Sequence, residues 1–255
     1  MSERKMRLII DRPRTAFENM AIDEAILMKR EEIGLDTLRL YSWRPSAVSI
    51  GYFQGVDQVL DLEAVKRHNV DYIRRISGGG AVFHADEGEI TYSIVLRQDD
   101  PILPPKVVDS YPALCDGLIR GLRFLGLDPQ FTGINDIVTN GKKISGNAQT
   151  RRHGGVLQHG TLLRTVDPEL MFTLLKVSDE KMRDKAIKVF NQRVTSLEQQ
   201  SANPEWKELV KHLVLGFKQA LNADFVETTV SPEEMELADK VKKEKYQTRE
   251  WNHRK

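Results

Sequence analysis

The chain has a single cysteine, Cys115, among 255 residues. A lone thiol excludes an intramolecular disulfide framework and any zinc site built on cysteine pairs. Net charge is nearly absent as well: 38 Lys and Arg against 37 Asp and Glu leave +1. That balance argues against a broad electrostatic grip on nucleic acid or anionic lipid. No apolar run approaches the ~18 residues that a membrane helix needs, so no membrane partner is expected. The opening Met1-Ser2-Glu3-Arg4-Lys5-Met6-Arg7 lacks the apolar stretch of a secretory signal. A cytoplasmic protein is the default expectation. The six histidines form no His-Glu-x-x-His pattern, and neither a Walker loop nor an internal repeat occurs. What is present, 40% hydrophobic and 29% charged residues, suits a folded globular chain. At about 150 residues per domain, the length predicts fewer than two domains, with a core that needs no staples.

Periods of 3.6 and 2 alternate along the chain, which predicts mixed α and β structure. Thr15-Ala16-Phe17-Glu18 reads as a capping box opening an amphipathic helix at about 16–30. Residues 37–50 read as two strands around Arg44-Pro45-Ser46. Ile90, Tyr92, Ile94 and Leu96 alternate as a half-buried strand. Tyr111, Leu114, Cys115, Leu118, Leu122 and Leu125 share one helical face, closed by Gly126 and Pro129. Strands are expected at 135–139, 142–149 and 155–164, with turns at Asn140-Gly141 and Gly154-Gly155. Beyond residue 166 the pattern is mostly helical, clearest from Trp206 to Phe217, and the densely charged last 25 residues read as a solvated helix. A seam is conceivable near 166–204, but composition does not make it a boundary. The expectation is one domain, 1–255, with a helical C-terminal layer from about 166 to 255.

Two segments stand out chemically. In Arg74-Arg75-Ile76-Ser77-Gly78-Gly79-Gly80-Ala81-Val82-Phe83-His84, three consecutive glycines between two expected strands predict a tight loop. Free amides beside paired arginines would make an anion cradle; a plain hairpin turn with two surface arginines is the alternative. In Gly141-Lys142-Lys143-Ile144-Ser145-Gly146-Asn147-Ala148-Gln149, small residues follow a lysine and leave room above the sheet for an anionic ligand. Asp136 could hold a metal or cap a turn. His159, in Gln158-His159-Gly160-Thr161, reads as either a core histidine or a site residue, and Trp43 as core or rim.

Taken together and in this order, these motifs resemble the lipoate–protein ligase family. The resemblance extends to Asn19-Met20-Ala21-Ile22-Asp23-Glu24-Ala25, to Trp43, to Gly51-Tyr52-Phe53-Gln54, and to the ending Lys245-Tyr246-Gln247-Thr248-Arg249-Glu250-Trp251-Asn252, which is similar to that of archaeal ligases. It implies the α+β catalytic fold of biotin and lipoate ligases, related to class II aminoacyl-tRNA synthetases, with mixed, mostly antiparallel sheets flanked by helices. It implies activation of lipoate by MgATP to lipoyl-AMP, then transfer to a lysine of a lipoyl-domain acceptor. The acceptor would be the E2 component of a 2-oxoacid dehydrogenase or an H-type glycine cleavage protein. By motif match, Lys143 would be catalytic. Arg75, Gly80, Ala81, Val82, Phe83, Asn135, Asp136 and Lys143 would bind ATP. Trp43, Gly79, Val82, His159 and Lys143 would bind lipoate, and Asp136 would contact Mg²⁺. Asp23 and Glu24 receive no chemistry, a solvated or capping acid serving equally well. The short chain implies a separate small accessory subunit.

An octanoyl or lipoyl transferase carrying its acyl group on a cysteine is the competing reading within the family. Relatives of that kind place the cysteine just before the motif lysine, here Thr132 to Asp136, after the His-Gly strand, here Phe172 to Ser178, or in another loop. Neither named stretch contains one, and Cys115 lies on an apolar helix face where a thiol is inert. The ATP-dependent ligase is therefore the expectation. A biotin ligase is disfavoured because its phosphate loop reads GRGRRG-like, and a non-catalytic acyl-carrier binding module because Lys143, Arg75 and the glycine triplet are all intact.

Overall fold

The protein is described by a computed structural model covering residues 4–177 and 179–254. Met1 to Glu3 of the N-terminal reading and Ser178 of the cysteine-free stretch lie outside the described residues. The first half of the chain runs β1 (Arg4–Ile10), α1 (Ala16–Ile33), β2 (Asp36–Tyr41), β3 (Ala47–Ile50), α2 (Val56–Val59), α3 (Leu62–Arg67), β4 (Asp71–Arg74), β5 (Val82–His84), β6 (Glu89–Arg97) and α4 (Val107–Phe124). It continues with β7 (Pro129–Thr132), β8 (Asp136–Thr139), β9 (Lys142–Arg152), β10 (Gly155–Leu163), α5 (Pro168–Leu174), α6 (Glu180–Arg193), α7 (Trp206–Leu221), β11 (Ala223–Thr228) and α8 (Pro232–Val241). A π-helical turn (Lys242–Tyr246) then leads to α9 (Arg249–Asn252).

The strands form an eight-stranded sheet in the order β11-β1-β2-β6-β10-β9-β8-β7 and a three-stranded sheet in the order β4-β3-β5. In the large sheet only β11-β1 and β1-β2 pair in parallel; from β2 to β7 the pairing is antiparallel. One face packs on α4 and α7 through Leu8, Leu38, Ile94, Leu118 and Phe217. The other packs on α1 and α8 through Ile9, Val95, Leu157, Ala21 and Ile26. β6 is therefore buried on both faces, not half-buried as its alternation suggests: Ser93 and Thr91 are core residues because they hydrogen-bond inside it. The small sheet has its own core with α2, α3 and α5 around Val48, Ile50, Leu60 and Leu174.

The capping box of α1 forms as read. Thr15 Oγ accepts from the Glu18 amide at 3.3 Å, and the Glu18 carboxylate accepts from the Thr15 amide at 3.1 Å. Gly34, with φ 72°, ends the helix. The two strands expected in 37–50 are present as β2 and β3, in different sheets. Other expectations need correcting. The second turn is His153-Gly154 rather than Gly154-Gly155, with both residues at positive φ. The C-terminal layer is not purely helical, since β11 returns to pair with β1. Nor is the charged tail simply solvated: Glu234 is buried and takes both Arg7 nitrogens, at 2.7 and 2.8 Å. Segment 166–204 packs as a layer, in which α6 contacts β9 and Thr195 N donates to Lys143 O at 2.8 Å. No helix among the described residues is long and apolar enough to cross a membrane.

Candidate active site

Lys143 owes its position to a β-bulge. The β8-β9 register pairs Ile137 with Ser145 but Val138 with Lys143, so Ile144 is the extra residue. Strict alternation would put Lys143 and Gly146 on opposite faces, three residues apart. The bulge brings both to the wall of one cavity of about 190 Å³. Lys143 Nζ lies 2.7 Å from Asp136 Oδ1 on β8. Gly146 makes room for it, because a Cβ there would stand 2.8 Å from that nitrogen.

The same cavity is walled by Trp43, Arg75, Gly79, Gly80, Ala81 and Val82, and further by Asn135, Ala148 and His159. Phe83 lines an adjoining cavity of about 180 Å³, which shares Ala81, Val82, Lys143, Gly146 and Thr161 with the first. Asp136 reaches the site through Lys143. Asn135 is pinned to β9, where its carbonyl accepts from Asn147 Nδ2 at 2.8 Å and its own Nδ2 donates to Asn147 O.

Asp136 Oδ1 lies against the Lys143 ammonium, and no cluster of three or more His, Cys, Asp or Glu capable of holding a metal occurs among the described residues.

The paired arginines do not form the open cradle read from the sequence. Arg75 is buried, and its NH1 donates to Ser49 O and Oγ at 3.1 and 3.2 Å. Its NH2 donates to the carbonyls of Gly78 and Gly80 at 2.7 and 2.8 Å, fixing the glycine loop from below. Burial lowers its pKa to about 10. Arg74 is fully buried and donates to carbonyls of Gly51, Tyr52, Gln54, Trp251, Asn252 and Arg254, clipping the loop after β3 to the C-terminal segment.

Sequence reasoning missed two buried networks behind the cavity. In the first, Asp23 accepts from Arg39 NH1 (2.7 Å), Tyr41 OH (2.8 Å) and Ser93 Oγ (2.9 Å). Its Oδ2 stands 3.6 Å from His159 Nδ1, while His159 Nε2 lies 2.6 Å from Ser77 Oγ at the base of the glycine loop. In the second, His84 Nδ1 bonds Glu89 Oε1 at 2.8 Å. Because a carboxylate only accepts, Nδ1 carries the proton, and Nε2 then accepts from Ser49 O–H at 2.8 Å. His84 also stacks on Trp43 at 3.9 Å, and Trp43 Nε1 donates to Thr91 Oγ, which donates to Glu89. The available signal was two acids, Asp23 and Glu24, inside an otherwise apolar helix turn. Both are buried, and Glu24 takes Lys245 Nζ at 2.7 Å on each oxygen.

Burial pushes His159 below its ordinary pKa, against the pull of Asp23. An unfolded histidine near 6.5 then binds a proton before the folded one does. The corresponding stability is present above about pH 6.5 and is lost as the pH falls, by up to ~1.4 kcal/mol per unit. His159→Gln should flatten the stability profile between about pH 6.5 and 5, as measured by urea unfolding; an unchanged slope contradicts this assignment.

Cys115 is fully buried on α4, outside both cavities. Its sulfur meets Gln158 Nε2 at 3.6 Å and Tyr92 OH at 4.0 Å, and burial raises the thiol to about 12.

Among curated proteins, the chain is 34% identical to an octanoyltransferase LipM of Geobacillus kaustophilus over 92% of each chain. It is 37% identical to an octanoyltransferase LipM of Kyrpidia tusciae over 93% of this chain and 94% of that one. Among solved structures, a bi-partite lipoate protein ligase studied with its E2 lipoyl domain from Thermoplasma acidophilum superposes with a TM-score of 0.88, at 32% identity, over 98% of this chain and 96% of that one. The catalytic fold of lipoate and biotin ligases is as expected. The ATP-dependent lipoate ligase expected from the motifs is not: curated relatives matched along nearly their full length are octanoyltransferases, so the motifs identified the scaffold and not the acyl donor. Residues 15–218 match the model of the lipoyl protein ligase A/B catalytic domain, and the chain belongs to that family of enzymes for lipoate and octanoate attachment.

Proposed function

We propose that this chain transfers an octanoyl-type acyl group from a thioester donor directly to the ε-amine of a lysine on a lipoyl-type domain. The observation that carries the reading is one cleft joining the Lys143 ammonium to the Trp43–His159 wall, with the chain's only thiol buried outside it. The octanoyltransferase relatives support the acyl group, and the lipoyl domain named with the Thermoplasma ligase supports the acceptor.

The acceptor lysine gives its ammonium proton to solvent, and the free amine attacks the thioester carbonyl carbon. A C–N bond forms, the C–S bond breaks, and the proton lost by the amine ends on the departing thiolate. The charge that develops on the carbonyl oxygen faces Lys143, which Asp136 orients. Trp43, stacked on His84, and a neutral His159 give the acyl chain an uncharged wall. No acyl group rests on Cys115, because a thiol with a pKa near 12 is almost wholly protonated at neutral pH.

The test is a mass-shift assay with an octanoylated phosphopantetheine carrier and an apo lipoyl domain. The domain should gain one octanoyl group, and Cys115→Ala should transfer within about twofold of the wild-type rate. An octanoyl thioester captured on Cys115 would refute direct transfer. A domain modified only by free octanoate with MgATP would refute the thioester donor.

A further inference from the structure

The chain's charge balances to +1, yet cations gather around Tyr52, whose amide donates to Ser77 O at the base of the glycine loop. The Arg152 and Arg254 guanidinium groups lie 4.7 and 4.2 Å from the Tyr52 ring centroid, and Lys245 Nζ lies 4.1 Å from that of Trp251. Two carboxylates are close by: Glu24 takes Lys245, and the largely exposed Asp57 points Oδ2 toward His253 at 3.7 Å. Among the described residues neither Arg152 nor Arg254 is ion-paired, so each spends its charge on an aromatic face. Beside them Phe53 is 85% exposed, its ring 4.9 Å from Tyr52.

This ridge is tied by its backbone to the glycine loop that walls the cleft. Tyr52 N donates to Ser77 O at 2.9 Å, and Ser77 Oγ holds His159. Gly51 packs so closely on the Gly79 carbonyl that no side chain would fit there. Arg74 clips the ridge to residues 251–254 from inside. The surface is thus formed before any partner arrives, which lowers the entropy cost of docking.

An acceptor lysine arrives as a cation at a cleft walled by the Lys143–Asp136 pair and by the Arg75 guanidinium, whose partners are neutral oxygens, so the cleft repels it. Carboxylates around the acceptor lysine would offset that repulsion, and on this chain they would need unpaired cations to face. A phosphopantetheine donor carries its phosphate at the far end of the arm from the thioester, so it brings no charge to the point of attack that needs offsetting. An exposed aromatic flanked by arginines is also the composition of an interface anchor. We propose that Phe53, Arg152 and Arg254 form the docking ridge for the acidic face of the acceptor lipoyl-type domain. The inference rests on the transfer reading above.

The test titrates an apo lipoyl domain into the chain without donor, at 50 and 300 mM salt, and then measures steady-state transfer. Arg152→Glu with Arg254→Glu should raise the Kd at least tenfold and flatten its salt dependence. The acceptor KM should rise by the same factor, with kcat and donor KM unchanged. Phe53→Ser, at a position too exposed to support the fold, should raise the Kd several-fold, with melting temperature confirming that both variants fold. Affinity within twofold of wild type in both variants, or a rise confined to the donor KM, would overturn the ridge. A domain that is bound but never acylated by the wild type would sink the transfer reading and leave the ridge standing. Wild-type transfer and binding by both variants would do the reverse.

Discussion

Lys143→Ala is expected to slow acyl transfer by about 10²–10³-fold, the usual cost of removing one oxyanion donor. The melting temperature should hardly move. Lys143 and Asp136 are 39% and 34% exposed, and an ion pair that open to water contributes little, about 0–1 kcal/mol. The two readouts therefore separate catalysis from folding. Gly146→Ala is the companion variant: its Cβ would press on the Lys143 ammonium and the carbon bearing it, at 2.8 and 2.9 Å. The flexible end of the lysine can swing aside, so the fold should survive while the charge leaves its place. Single-turnover transfer measured beside thermal melts checks both. A folded Lys143→Ala within tenfold of wild type would remove this residue from the chemistry.

Gly216→Ala should destabilise the protein by roughly 3 kcal/mol, the upper end of the usual overpacking cost. Ordinarily this change in a helix gains about 1 kcal/mol. Here α7 crosses α4 backbone to backbone: a Cβ on Gly216 would run into the Gly117 carbonyl and Gly121 amide, and stand 2.8 Å from Gly121 Cα. Unlike the lysine tip at Gly146, helix backbone has no rotamer to escape into. The helices would have to separate, opening the core around Leu118, Leu213 and Phe217. A chain of this size should lose roughly 6–12 °C in melting temperature. A melting point equal to or above wild type would mean that the crossing relaxes freely.

Local signals came through where the forces are local. The Thr15 capping box, the Asn140-Gly141 turn and the α4 stripe through Leu118 all need only neighbours within a few residues. Strands β1, β7 and β11 were illegible, because their partners come from elsewhere in the chain and their burial follows from position in the sheet. Within the site, the same cause turned Arg74 and Arg75 from an open cradle into buried clamps. An arginine's partners are carbonyls of distant loops, which no spacing rule reveals. Asp23 looked like a spare acid for the same reason: Arg39, Tyr41 and Ser93 arrive from strands β2 and β6. The acyl donor was misjudged for a different reason. The glycine loop and Lys143 serve any reaction that places negative charge at that point, so they could not separate one donor chemistry from another.

The sequence by itself determined which residues meet. The resemblance carried by the glycine triplet, Asn135-Asp136, Lys143 and His159 implied that they share one site, and Gly79, Gly80, Asn135, Lys143 and His159 do line one cavity. Only the tertiary structure decided how they meet. A single extra residue in β9, Ile144, turns Lys143 onto the cavity face beside Gly146. Burial between two helical layers makes His159 a neutral wall of the cavity and, outside it, leaves the Cys115 thiol unreactive. The physical reason is that charge state and side-chain direction depend on what surrounds a group in space, and the identity of its neighbours in sequence leaves both open.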